Sequence, residues 1–322
     1  MPHLSKQQLN DWIDSLIDLS YPLHSRIHPL NYGKQWFVKR EDELSFGISG
    51  SKYRKYASLI PYIKTQGYKE AYLVGSSYSN HLVGMLQLLN EHHITPTVYL
   101  LHLHDAEPKG NLGFIKLLLG KHPLHLLSRD DWPHKDVIIK KTLPSRAMYI
   151  SEGAEMFPSL PGALSLARDI ASNPLVFDHL FIDAGTGLSA IALLLGMQAY
   201  GLHGKVHIIL VAYDEASFLK KLFEYKDLLE KALSCVISLP EFQLYPSFIG
   251  KSFGSTNQAI FEEIRSLAQE EGILTDPVYS AKLFYSAKQV HKNSSLQGNI
   301  LCIHSGGGLT LCGFQKELFG TL

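Results

Sequence analysis

Leu180-Phe181-Ile182-Asp183-Ala184-Gly185-Thr186-Gly187-Leu188-Ser189, running on into the apolar stretch that ends at Tyr200, decides the fold class. Three β-prone residues lead into a turn of small residues, DAGTG. From 189 to 200 the chain then reads as an apolar helix. The same order recurs on both sides. Strands are expected at 35–39, 70–74, 97–103, 124–127, 206–211 and 299–304. Helices are expected at 51–66, with a kink at Pro61, and at 81–90, 113–119 and 258–269. Strands alternating with helices predict an α/β protein with parallel sheets covered by helices on both faces. In such sheets ligands bind beyond the carboxyl ends of the strands, so the turns are where chemistry is sought.

Bulk properties narrow the class. A chain of 322 residues is expected to make two domains of ordinary size. Thirty Lys and Arg balance thirty Asp and Glu, so nothing favours nucleic acid or an anionic membrane as partner. Three cysteines, Cys235, Cys302 and Cys312, form no C-x-x-C pair and cannot pair off evenly, which predicts free thiols in a reducing compartment. The charged first residues lack a signal peptide's apolar run, and the longest apolar stretch, 190–197, is too short to span a bilayer. The expected location is the cytoplasm. Paired histidines, among them His102 with His104 and His122 with His125, lack the carboxylates or cysteines that complete a metal site, so no metal is expected.

Three small-residue turns follow expected strands: 75–80 (GSSYSN), 184–189 (AGTGLS) and 305–308 (SGGG). AGTGLS is the best anion site, because Gly185 and Gly187 admit a phosphate to free N–H groups at a helix start and Thr186 and Ser189 add hydroxyls. It completes neither a Walker loop nor G-x-G-x-x-G, and by itself it also reads as a tight connection. GSSYSN by itself reads equally as a helix cap at Ser79 and Asn80. Gly50-Ser51-Lys52-Tyr53-Arg54-Lys55 puts three cations at a helix start, where the backbone already carries positive partial charge. Either a bound phosphate offsets them or the helix end is solvated. In the first case a lysine there has a lowered pKa and serves as an amine nucleophile.

Together these segments resemble the pyridoxal-phosphate enzymes of the tryptophan synthase β-like fold, and more narrowly the 1-aminocyclopropane-1-carboxylate deaminase and D-cysteine desulfhydrase family. Phe37-Val38-Lys39-Arg40-Glu41-Asp42, Gly50 to Lys55, Ser79-Asn80-His81, Ala184 to Ser189, Gly272 to Tyr279 (GILTDPVY) and Ile303-His304-Ser305-Gly306-Gly307 match family segments in the same order. The resemblance implies a large cofactor-binding domain from 1–52 and 159–322, with a small α/β domain, 53–158, inserted in it. It implies that Lys52 holds pyridoxal phosphate covalently and moves protons, and that Ser79 and Tyr279 face the substrate as hydroxyl groups. Asn80 would bond the cofactor's phenolic oxygen, and Gly185, Thr186, Gly187 and Ser189, with Lys55, its phosphate. Ser305 would sit near the pyridine nitrogen, and His81 would join Ser79 and Asn80 around the substrate. A homodimer is implied as well.

Departures refine the expectation. Ser51 stands where the family has asparagine, and Leu188 where many relatives have glycine, an expected narrowing of the phosphate loop. Ser151-Glu152-Gly153-Ala154-Glu155 replaces a glycine-rich segment, so a carboxylate, Glu152 or Glu155, is expected to change what the pocket accepts. The deaminases proper have glutamate after the tyrosine, at the pyridine nitrogen; here Ser280 follows Tyr279. A hydroxyl holds a pyridinium less well than a carboxylate, so α,β-elimination from D-cysteine or a similar amino acid is favoured over ring opening. Ring-opening deamination, amino-acid racemisation, a cofactor-binding protein with little turnover and a nucleotide-binding α/β protein are the alternatives.

Overall fold

A computed structural model describes residues 1–48, 50–101, 108–250 and 253–320. His102 and His104, with the end of the strand expected at 97–103, lie outside the described residues. The strands are β1 (Ile27–Pro29), β2 (Trp36–Arg40), β3 (Glu70–Gly75), β4 (Thr95–Leu101), β5 (Leu124–Leu127), β6 (Ala147–Ile150), β7 (His179–Ala184), β8 (Lys205–Leu210), β9 (Phe242–Pro246) and β10 (Ile300–His304). The helices are α1 (Lys6–Leu16), α2 (Ser51–Thr65), α3 (Asn80–Glu91), α4 (Gly110–Leu119), α5 (Lys135–Lys141), α6 (Leu160–Ala171), α7 (Leu188–Met197), α8 (Glu215–Leu233), α9 (Gln258–Ser266), α10 (Ser280–Ser294) and α11 (Gln315–Phe319).

Two sheets form. One has the order β1-β2-β10-β7-β8-β9, parallel except for the hairpin-like β1–β2 pair, and the other is β5-β4-β3-β6, parallel throughout. The carboxyl ends of β2, β10 and β7 therefore lie side by side, and the glycine-rich turns leave from two of them. Parallel strands covered on both faces read as continuous apolar runs, which is why Leu180-Phe181-Ile182 and Ile208-Ile209 are buried without alternation.

Alternation survives in the direction each side chain takes. Leu180, Ile182 and Ala184 of β7 join a core with α6 and α7, whereas Phe181 joins another with Leu283, Phe284 and Ala287 of α10. Tyr56, Leu59, Ile60 and Ile63 of α2 pack on the four-stranded sheet with α3. Pro61 lies inside α2, which runs through it from Ser51 to Thr65. The helix expected at 258–269 ends as an α-helix at Ser266 and continues over Leu267–Glu271 as a wider π turn before Gly272.

Candidate active site

Lys52 lies in the first turn of α2, and a backbone contact with β10 places that turn. Gly50 has φ +90° and its missing side chain would sit 1.5 Å from the Ser305 carbonyl oxygen, while the Ser51 N–H donates to that same oxygen at 3.2 Å. Only glycine allows both the approach and the dihedral. We predict that Gly50→Ala costs more than the roughly 1–3 kcal/mol of backbone strain alone, read as a lowered urea midpoint.

The three cations at this helix start meet three different fates. Arg54 is fully buried and donates to Glu41 (2.5 and 2.8 Å), to Asp169 (2.6 Å) and to the Leu23 carbonyl (2.7 Å). Its charge is answered by carboxylates of the protein, not by a ligand. Lys55 is buried, donates to the Gly153 carbonyl at 3.2 Å and is pushed down to about 7 by burial and by Lys52. Burial also lowers the Lys52 amine, against the pull of Asp183 and Asp276, and its Nζ stands 5.2 Å from the centroid of the Tyr279 ring. The solvated helix end left open by the sequence is thereby excluded.

Lys52 and Tyr279 separate two lobes of one cleft. The inner lobe, about 40 Å³, is lined by Lys55, Asp183, Gly185, Thr186, Gly187, Ser189 and Ser305. Here α7 begins at Leu188 behind Gly187, whose φ is +100°, with no side chain capping the free N–H groups. The outer lobe, about 210 Å³, is lined by Ser79, Asn80, His81 and Glu152 and walled by Trp132, Tyr213 and Phe253. Aromatic walls limit water around whatever binds there.

The small polar residues are held in place by the fold. Ser79 caps α3, its hydroxyl accepting from Leu82 N–H at 3.1 Å, and it also lines the outer lobe. Asn80 Oδ1 accepts from Asn111 Nδ2 and from the Thr310 hydroxyl, each at 2.9 Å, and its Nδ2 is buried with no partner. His81 Nδ1 is 3.0 Å from the Tyr56 hydroxyl, its Nε2 has no partner, and burial drives its pKa to about 3, so the ring is neutral. Burial raises the Tyr279 phenol and Asp276 reinforces this, so it too is neutral and can donate.

Three expectations are displaced. Leu188 does not narrow the phosphate loop, because it is fully buried in the core beside Leu164 and Phe218. Glu155 turns away from the cleft to pair with Lys221 at 2.5 Å, leaving Glu152, whose carboxyl burial raises despite Lys135 at 4.0 Å. Ser280 is fully buried and lines neither lobe. Its hydroxyl donates to Asp276 Oδ1 at 2.8 Å and accepts from Asp276 N–H at 2.7 Å, locking the start of α10. Sequence reasoning missed Asp183, Trp132, Tyr213 and Phe253. Asp183 could have been found, since it precedes the glycine turn at a strand's carboxyl end; the aromatics come from distant segments with no shared pattern.

This donor set fits pyridoxal phosphate. Asn80 Nδ2 is an orphaned donor suited to a phenolic oxygen, the uncapped helix and Lys55 suit a phosphate, and a lysine of lowered pKa suits an aldehyde. The Lys55 value has a testable consequence. A bound phosphate raises the Lys55 pKa, so affinity is full while the free amine is charged, below about 7, and falls as pH rises above it. A phosphate monoester gains its second charge above about 6. A simple monoester such as methyl phosphate is expected to bind the cofactor-free protein best between these limits in a calorimetric titration, and Lys55→Met should flatten the alkaline side.

A family model described as "Pyridoxal-phosphate dependent enzyme" matches residues 22–306. The chain is 26% identical over 322 residues to the Arabidopsis thaliana "Bifunctional D-cysteine desulfhydrase/1-aminocyclopropane-1-carboxylate deaminase, mitochondrial", covering 92% of this chain and 78% of that protein. It is 22% identical over 320 residues to the D-cysteine desulfhydrase of Serratia proteamaculans, covering 94% and 96%. A solved structure described as an ACC deaminase homologue superposes with a TM-score of 0.84 at 22% identity over 98% of this chain and 99% of that one, a likeness of fold.

Proposed function

Because the chain belongs to the pyridoxal-phosphate dependent enzymes, we propose that it is a lyase of the D-cysteine desulfhydrase kind. It would remove a β leaving group from a small amino acid and release ammonia and a keto acid. The observation that carries this is Lys52 in the wall shared by an anion-binding lobe and a lobe with hydroxyl donors. Bound there, the cofactor supplies an electron sink for the bond broken at the substrate's α-carbon.

The chain's own residues do the rest. Lys52, its amine made less basic by burial, both anchors the cofactor and moves the α-proton at Nζ. Asn80 Nδ2 orients the ring through its phenolic oxygen. Gly185, Thr186, Gly187 and Ser189, with Lys55, hold the phosphate. Ser79, Asn80 and the neutral His81 receive the substrate, and the neutral Tyr279 phenol donates a proton toward the departing group. Trp132, Tyr213 and Phe253 hold water back. The same reading makes 53–158 a small domain inserted in the large one from 1–52 and 159–322, and the chain a cytoplasmic homodimer.

The test is keto-acid and sulfide release from a panel of D- and L-amino acids. Turnover of D-cysteine above the others supports the reading. Bound cofactor without product from any amino acid would favour a binding protein instead. Glu152 sets a further expectation. Its carboxylate faces the outer lobe and repels an anionic β-group, so Glu152→Gln should raise kcat/KM for a β-sulfonate or sulfinate amino acid about tenfold relative to cysteine. An unchanged ratio would remove Glu152 from substrate selection.

A further inference from the structure

The ring nitrogen of pyridoxal phosphate sets how good an electron sink the cofactor is, and the protein controls it through the group facing that nitrogen. Ser280, the expected partner, is held by Asp276 and lines neither lobe. A carboxylate arrives from another strand. Asp183 stands two residues after Phe181 on β7 and so shares its face, the one packed against α10. That direction takes its side chain toward the start of α10, near Asp276 and Tyr279.

Two buried carboxylates occupy this corner, and they are not equivalent. Asp276 accepts from the N–H groups of Val278, Tyr279 and Ser280 and from the Ser280 hydroxyl, so it is spent on capping α10. Asp183 lines the inner lobe beside Ser305 and Lys52, and its Oδ1 is buried with no hydrogen-bond partner. A buried carboxylate oxygen in that state is costly unless a donor reaches it. Burial raises its pKa, while the Ser305 hydroxyl and Lys52 pull the other way. Once Lys52 is engaged by the cofactor, a cationic N–H from the ligand is the natural counter-charge.

We propose that Asp183, with Ser305 beside it, is the carboxylate that holds the cofactor's ring nitrogen protonated in this chain. The proposal rests on Lys52 holding pyridoxal phosphate. It reverses a deduction drawn from Ser280: the sink is strong, and chemistry more demanding than elimination of a good leaving group, ring opening included, is within its reach.

The test uses holoenzyme reconstituted with pyridoxal phosphate labelled with 15N in the ring. In the wild type the nitrogen should resonate at the protonated position throughout the neutral range. In Asp183→Asn its titration midpoint should fall by about 1–3 pH units, the effect of removing one adjacent opposite charge. Asp183→Glu, which keeps the charge, should retain most of the protonated signal. A wild-type nitrogen that is unprotonated at neutral pH overturns the proposal without any variant, as does an Asp183→Asn nitrogen that stays protonated. Failure of the underlying reading looks different: a wild type that takes up no labelled cofactor and shows no visible absorbance overturns both.

Discussion

Lys52→Ala is expected to fold, to show no visible absorbance from lysine-bound cofactor, and to lose about 10²–10⁴-fold or more in turnover, the range supplied by a positioned proton-transfer group. On the proposed reading the lysine has two tasks at one atom, covalent anchor and base, and it is placed between the lobes, 5.2 Å from the Tyr279 ring centroid. Folding should survive, because the change removes a buried amine that burial already makes less basic. Phosphate binding should survive as well, since Lys55 and the start of α7 are untouched. The variant should therefore still take up pyridoxal phosphate reversibly, released by dialysis, where the wild type retains it. Retained absorbance after dialysis of Lys52→Ala would move the anchor to another amine, with Lys55 the next to test.

Arg54→Met is expected to destabilise the protein by about 3–5 kcal/mol at neutral pH, a large share of the roughly 5–15 kcal/mol that holds a domain folded. Arg54 bridges Glu41 on the loop after β2 to Asp169 on α6, and Lys39 is also paired to Asp169. Without the guanidinium, Glu41 keeps only the Ser25 hydroxyl as a side-chain partner among the described residues, and two buried carboxylates face an apolar chain. The pH dependence identifies the cause. Burial pushes the Asp169 carboxyl up, but Arg54 and Lys39 pull it below the usual carboxylate range. Its contribution to wild-type stability is present above about 4 and lost as pH falls through the depressed value. In Arg54→Met that depression is weakened, so acid relieves a charge left with fewer partners, and the deficit against wild type should shrink below about pH 4. A deficit constant from neutral to acid pH in urea titrations would mean that lost packing, not lost pairing, destabilises the variant.

Much of the architecture was legible because short stretches carry it. The β-type run 180–182, its small-residue turn and its apolar helix are local features, and β7 and α7 follow them within two or three residues. Helices α6, α8 and α10 were not read. α6 is buried almost all round and opens with Pro161 and Gly162, so it shows neither a clear apolar stripe nor strong helix formers at its start. β9 is an edge strand with no fully buried residue, so it lacks the apolar run that marks the inner strands. Lys52, the AGTGLS turn and Ser79-Asn80 could be singled out from the sequence as residue types at local backbone features, while the roles expected of them came only from the resemblance of several segments taken in order.

What the sequence could not assign was the electrostatic duty of each charge. Lys52, Arg54 and Lys55 look alike along the chain, yet only the fold gives Arg54 to Glu41 and Asp169, Lys55 to the inner lobe and Lys52 to the wall between lobes. Ser280 and Asp183 lie 97 positions apart (280 minus 183), and only the packing of α10 on β7 sets one to cap a helix and the other to face the cleft. Local pattern determines backbone shape, because that depends on neighbours within a few residues. Protonation and pairing depend on burial and on charges brought close from elsewhere in the chain, so the tertiary structure alone decides them.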